Sequence, residues 1–265
     1  MFGFLKRRRN EAVLAVPFPE AWRAIVDAKV PLVRRLTDDE RERLERLVRI
    51  FLADKTFEGC AGLTITDEMR VTIAAQACLL VVNQEREESL YEGFETVLVY
   101  PSAYVASRQR RDGMLVVDEA DVRLGEAWSR GGPVVLAWDA VRGGAVNAHD
   151  GHNVVLHEFA HRIDDEDGAM DGAPVLENRS DYKTWARVLG AEFAELTSRV
   201  HAGRGARGDI DPYGATNPAE FFAVVTEEFF EQPIQLQENH PALYDELANF
   251  YRHDPARRVR ERPKV

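Results

Sequence analysis

Two histidines four residues apart, with a glutamate directly after the first, stand at His157, Glu158 and His161 in Asn153-Val-Val-Leu-His-Glu-Phe-Ala-His-Arg-Ile-Asp164. On a helix, residues four apart lie one turn above each other, so both imidazoles can converge on one ion in the manner zinc favours. Glu158, about 100° further round, reaches a water on the ion rather than the ion itself and suits a general base. The spacing of Leu156, Phe159, Ala160 and Ile163 on one apolar side predicts the helix, with Asn147 or Asp150 expected to cap its start.

A catalytic zinc keeps three protein ligands and one open position, so a third ligand is required. The metzincin continuation needs Gly at 164 and His at 167, and this chain has Asp at both. Two glutamates remain. Glu177, in Glu-Asn-Arg-Ser-Asp, echoes the Glu-x-x-Ser-Asp of thermolysin-like enzymes. Glu220 follows Asn217, an expected N-cap, and Pro218, a favoured first helical residue; its place is also that of the reciprocal half of a capping box. Residue types and spacing leave Glu177 and Glu220 open. Asp164, one turn past His161, is expected to orient an imidazole. His149 and His152 read as residues leading into the helix, and Asp164 to Pro174 as an exposed acidic loop whose spacing fails the EF-hand pattern.

Several elements must position these residues. Trp22, Ile25, Val26 and Val30 predict a short helix ending near Pro31, and Thr37-x-x-Glu40 is a capping box for a helix over Asp38 to Ala53. Phe57 to Gly62 reads as a link, and Thr66 as the cap of a long buried helix through Val82. From Phe94 the period changes to that of strands, at Phe94–Tyr100, Met114–Asp118 and Pro133–Trp138, the last expected at a sheet edge. Further helices are expected at Asp181–Val200, Pro218–Glu231 and Pro241–Tyr251.

The 265 residues carry a formal charge of −11, yet the ends are basic: positions 10–251 alone hold 24 basic against 43 acidic residues. An acidic body of this kind repels nucleic acid, and no nucleic-acid partner is expected. Neither a signal peptide nor an apolar run of membrane-spanning length is visible, so no membrane association is expected. Two cysteines, Cys60 and Cys78, suit a reducing compartment, and the expected location is the cytoplasm. The expected division is a basic, flexible segment over 1–16, one domain over 17–251, and a basic tail over 252–265.

Together, His157-Glu-Phe-Ala-His161-Arg-Ile-Asp164 and Asn217-Pro-Ala-Glu220-Phe-Phe-Ala223 resemble the Mlc titration factor A family of zinc metallopeptidases, with the anthrax lethal factor catalytic domain a more distant relative. Gly62-Leu-Thr-Ile-Thr-Asp-Glu-Met-Arg and Ile73-Ala-Ala-Gln-Ala-Cys-Leu-Leu extend the likeness, which runs from about Phe18 to Tyr251. The resemblance implies an α+β, mostly helical, zincin-like fold with a small β-sheet beside the active-site helix. It implies one Zn²⁺ held by His157, His161 and Glu220, with Glu158 as base and Tyr213, seven residues before Glu220, acting at the oxyanion or leaving group. The implied function is peptide-bond hydrolysis of aminopeptidase type, together with regulation of sugar uptake through a transcriptional repressor. The competing reading from the same resemblance is a regulatory protein that sequesters such a repressor and cleaves little.

Overall fold

The structure, a computed structural model, describes residues 2–84, 91–112, 115–123, 125–127, 131–203 and 210–261. The chain opens with helices α1 (Phe2–Leu14), α2 (Glu20–Lys29) and α3 (Asp38–Asp54), followed by strand β1 (Thr56–Gly59) and helix α4 (Asp67–Leu79). The Thr37–Glu40 capping box is formed in both directions, and the Thr66 hydroxyl accepts from the Met69 N–H, so both helices start where their caps predict. Strands β2 (Thr96–Tyr100), β3 (Tyr104–Asp112), β4 (Leu115–Arg123), β5 (Gly125–Ala127) and β6 (Val134–Ala137) come next. Helices complete the fold: α5 (Trp138–Val146), α6 (Val154–Asp164), α7 (Arg179–His201), α8 (Pro218–Glu231), α9 (Pro233–Asn239), α10 (Pro241–Tyr251) and α11 (Pro255–Glu261). The α+β, mostly helical class holds.

The sheet runs β1-β2-β6-β5, with β1, β2 and β6 parallel and β5 antiparallel to β6. The segment expected at an edge is therefore internal. All four residues of β6 are buried, the pattern of a strand covered on both faces, and its Pro133 stands just before the ladder rather than in it. Phe57, expected in a link, lies in β1, which pairs with β2. β3 and β4 form a separate antiparallel pair; Met114 lies outside the described residues. Arg162 joins the sheet to α6 by donating to the carbonyls of Gly132 (2.7 Å) and Pro133 (3.1 Å).

Both basic ends are helical and contact the body of the fold. Residues 2–14 are helical, with Arg9 paired to Asp54 of α3 and Asn10 buried. Beyond Tyr251, His253 is buried and α11 packs back, its Arg258 reaching Glu40 at the start of α3. A charge run judged from composition alone looks solvated, but each has an acidic partner brought near by the fold. Residues 262–265 lie outside the described residues.

Helix α6 has two unlike faces. Phe159 is fully buried and meets the rings of Phe51 (5.7 Å), Tyr91 (4.9 Å) and Phe94 (5.9 Å), whereas the opposite face turns its histidines toward α8. Burying a side chain of that size contributes about 1.5–3 kcal/mol, so the core face fixes the helix rotation and with it the direction of the histidines. Gly172 welds the neighbouring elements. Its N–H donates to Asp164 (2.8 Å), its carbonyl accepts from the Trp185 indole (2.9 Å), and a Cβ there would sit 2.4 Å from the Pro218 carbonyl oxygen, at a φ of +80°.

Candidate metal centre

Asn153 starts the helix that carries the motif. Its side-chain oxygen accepts from the N–H groups of Val155 and Leu156, both at 3.2 Å. Asn147 and Asp150, the expected caps, bond to each other instead at 2.7 Å, because the chain makes a further turn before the helix begins. Downstream, Asn217 caps α8 by accepting from the Glu220 N–H at 2.9 Å, and Pro218 occupies the first turn as expected. Glu220 does not complete a capping box. Its carboxylate turns across to α6, 3.0 Å from His157 Nε2 and 3.3 Å from His161 Nε2.

His157, His161 and Glu220 offer ligand atoms that all lie within 4.8 Å of one another. A tetrahedral ion with bonds of 2.0–2.2 Å holds its ligand atoms about 3.3–3.5 Å apart, so the two shorter spacings fit such a site with little movement. Two imidazole nitrogens and one carboxylate are the donor set of a catalytic rather than a four-ligand structural site. Glu177, the other candidate ligand, is exposed and paired with Arg252. The fold therefore brings Glu220 to the histidines and leaves Glu177 away from them.

The electrostatics of the cluster follow from burial and neighbours. Burial alone would raise the Glu220 carboxyl, but hydrogen bonds from His157 and His161 hold it well below the usual carboxylate range. Burial opposes charge on His157, yet Glu227 and Glu220 on either side outweigh it and push its pKa well above the ordinary value. Positive charge at this point is favoured, whether carried by a proton or by a metal ion. Glu158 is buried, and burial pushes it up to about 7, in the range where a carboxylate exchanges protons near neutrality. Among the described residues, its Oε2 has no hydrogen-bond partner and is buried beside the cluster.

The imidazole-orienting role expected of Asp164 falls elsewhere. Asp164 turns its carboxylate to the Gly172 N–H, while Glu227 Oε1 lies 2.7 Å from His157 Nδ1. An ionised carboxylate only accepts, so Nδ1 donates, and Nε2 offers a metal its lone pair once the proton it shares with Glu220 is displaced. Glu227 sits two turns after Glu220, the spacing that places both on one face of α8. That heptad was the signal by which the sequence could have shown it. Glu227 also accepts from the Asn153 N–H, and Glu231 accepts from Asn153 Nδ2 (3.0 Å) and the Gly151 N–H (3.1 Å). The base of α6 is thus tied to α8 three times.

Tyr213 stands on a 3-10 turn, Pro212–Ala215, just before α8; its ring centre is 6.0 Å from that of His157 and the residue is 54% exposed. His149 and His152 flank the site without joining it: His149 Nδ1 lies 3.3 Å from the Arg35 guanidinium, and His152 Nε2 lies 3.7 Å from Asp211.

Residues 4–252 match the family described as glucose-regulated metallo-peptidase M90. The chain belongs to the M90 metallopeptidases. Among its relatives, an uncharacterized protein of Synechocystis is 42% identical over 248 residues, covering 93% of this chain and 89% of that one. Mlc titration factor A of Klebsiella pneumoniae is 33% identical over 236 residues, 88% of this chain and 86% of its own. The Yersinia pestis protein of the same name is 32% identical over 235 residues, 87% and 84% of the two chains. The M90 match embraces every element that builds the His157–His161–Glu220 cluster. Among the described residues, no helix is long and apolar enough to cross a membrane.

Proposed function

We propose that this M90 chain is a zinc-dependent peptidase, aminopeptidase-like in its substrates and working in the cytoplasm. The observation that carries the reading is the convergence of His157 and His161 from α6 with Glu220 from α8, beside a buried carboxyl at Glu158. Bound by these three side chains, zinc would polarise the scissile carbonyl and lower the pKa of water from about 15.7 to near 7. Glu158 takes the proton of the attacking water and delivers it to the leaving amine. Tyr213 donates a hydrogen bond to the carbonyl oxygen as it gains negative charge. Glu227 keeps His157 in the tautomer that presents Nε2 to the metal. The test is hydrolysis of a panel of aminoacyl and short-peptide chromogenic substrates by zinc-loaded wild type and Glu158→Gln. Turnover in the wild type, reduced about 10²–10⁴-fold in E158Q with zinc still bound, is the expected result. Equal turnover in both would end the assignment of Glu158.

A regulatory role is the second reading, favoured by the name Mlc titration factor A on relatives that match 87–88% of this chain. In it the protein binds a transcriptional repressor and thereby regulates sugar uptake, with cleavage secondary. Co-purification from the native host that returns such a repressor supports it; a bait recovered without one removes its basis.

A further inference from the structure

The α8 carboxylate that the metal cluster leaves unexplained is Glu228. It is 9% exposed, and its Oε1 accepts from the backbone N–H of Asp211 at 3.0 Å. The Asp211 side chain in turn accepts from the Tyr213 N–H at 2.7 Å, which closes the 3-10 turn. From the other side, the Thr216 hydroxyl donates to the Tyr213 carbonyl at 2.7 Å. Ile210 is buried, and a Cβ on Gly214 would lie 3.3 Å from Leu196 Cδ2 and 3.5 Å from Val224. The backbone of Tyr213 is therefore held before and after the residue, while its ring stays open to solvent over His157. A buried acid costs free energy unless its hydrogen bonds are made, so an acid at this place has its explanation in the turn it holds.

We propose that Glu228 is a positioning residue for peptide hydrolysis: its carboxyl fixes the Asp211–Tyr213 turn so that the Tyr213 hydroxyl meets the substrate carbonyl oxygen. The proposal rests on the role given to Tyr213 above. Burial pushes Glu228 up to about 7, with Glu227 and Asp211 adding in the same direction and the Asp211 N–H and His240 opposing. Either protonation state retains an oxygen that can accept from Asp211, and so does a glutamine.

The experiment compares zinc-loaded wild type with Glu228→Leu, Glu228→Gln, Tyr213→Phe and the E228L/Y213F double variant, measuring kcat and KM, metal stoichiometry, and hydrogen exchange of the Asp211 and Tyr213 amides. Y213F is expected to lower kcat about 10²-fold, the loss typical of removing one oxyanion donor. E228L is expected to fall nearly as far, with KM and metal content little changed and both amides exchanging faster. The double variant should lose no more than about two-fold beyond Y213F, since both act on one link. E228Q should return to within a few-fold of wild type. Multiplicative losses, loss of metal in E228L, or an E228Q as impaired as E228L would overturn the proposal. If E228L does not fold, Asp211→Ala breaks the same chain one step closer to Tyr213 and must show the same non-additivity with Y213F. A Y213F as active as wild type would overturn the role of Tyr213 itself, an outcome distinct from all the others.

Discussion

Helix α8 carries four glutamates that the fold treats in opposite ways. At its start, Glu220 faces two imidazoles of α6 and is held strongly acidic. Two to three turns on, Glu228 and Glu231 are enclosed, accept from backbone and side-chain N–H groups, and are raised to about 7 and about 8, chiefly by burial. Glu227 lies between, with one oxygen on His157 and the other on the Asn153 backbone. One residue type on one helix thus serves as candidate ligand, ligand orienter and scaffold. What separates the roles is the positive charge nearby and the water kept out, not the side chain.

The largest effect should come from breaking the front end. Glu220→Ala is expected to abolish stoichiometric metal binding in a protein whose circular dichroism is unchanged, measured by atomic emission after dialysis; full occupancy would remove Glu220 from the ligand set. Glu227→Ala should be milder, weakening metal affinity about 10–100-fold in a chelator competition, since the imidazole loses its orienting partner but stays a ligand. An affinity equal to wild type would reduce Glu227 to a helix tie.

The rear end should respond to pH rather than to metal. Glu231 has its folded-state pKa, about 8, above the ordinary carboxylate value near 4.5. Between these values the unfolded chain has released the proton that the folded chain keeps, so the contribution is present at low pH and is lost as pH rises through about 8. Urea unfolding of the metal-free protein at pH 5.5 and 8 should show Glu231→Gln with a flatter pH dependence than wild type, by up to about 1 kcal/mol per pH unit. Parallel profiles would mean that Glu231 does not titrate in this window. Smallest of all is the control outside α8. Glu177→Ala removes an exposed ion pair with Arg252 and should leave metal content unchanged and stability within about 1 kcal/mol. A loss of metal there would reverse the choice between the two glutamates.

Much of this protein was legible before any coordinates. The capping box at Thr37, the cap at Thr66, the Asn217-Pro218 start of α8 and the apolar stripe of α6 are local signals within four residues, and local hydrogen bonding and periodicity decide them. Spacing within one helix likewise determined that His157 and His161 share a face with Glu158 beside them.

Tertiary structure decided the rest, because it concerns which distant segments meet. Nothing in the spacing distinguished Glu177 from Glu220, since the path of the chain from α6 to either glutamate, with α7 between His161 and Glu220, is not readable from spacing. Asp164 was the nearer acid in sequence, but Gly172 took its carboxylate and left His157 to Glu227, seventy residues away. The basic ends looked solvated until Asp54 and Glu40 stood beside them. The edge of the sheet was misplaced because strand order depends on long-range pairing that the β6 residues do not record. Local chemistry determined what each element could do; only packing, which joins α6 to α8 through Asn153, Glu227 and Glu231, decided which of its residues would do it.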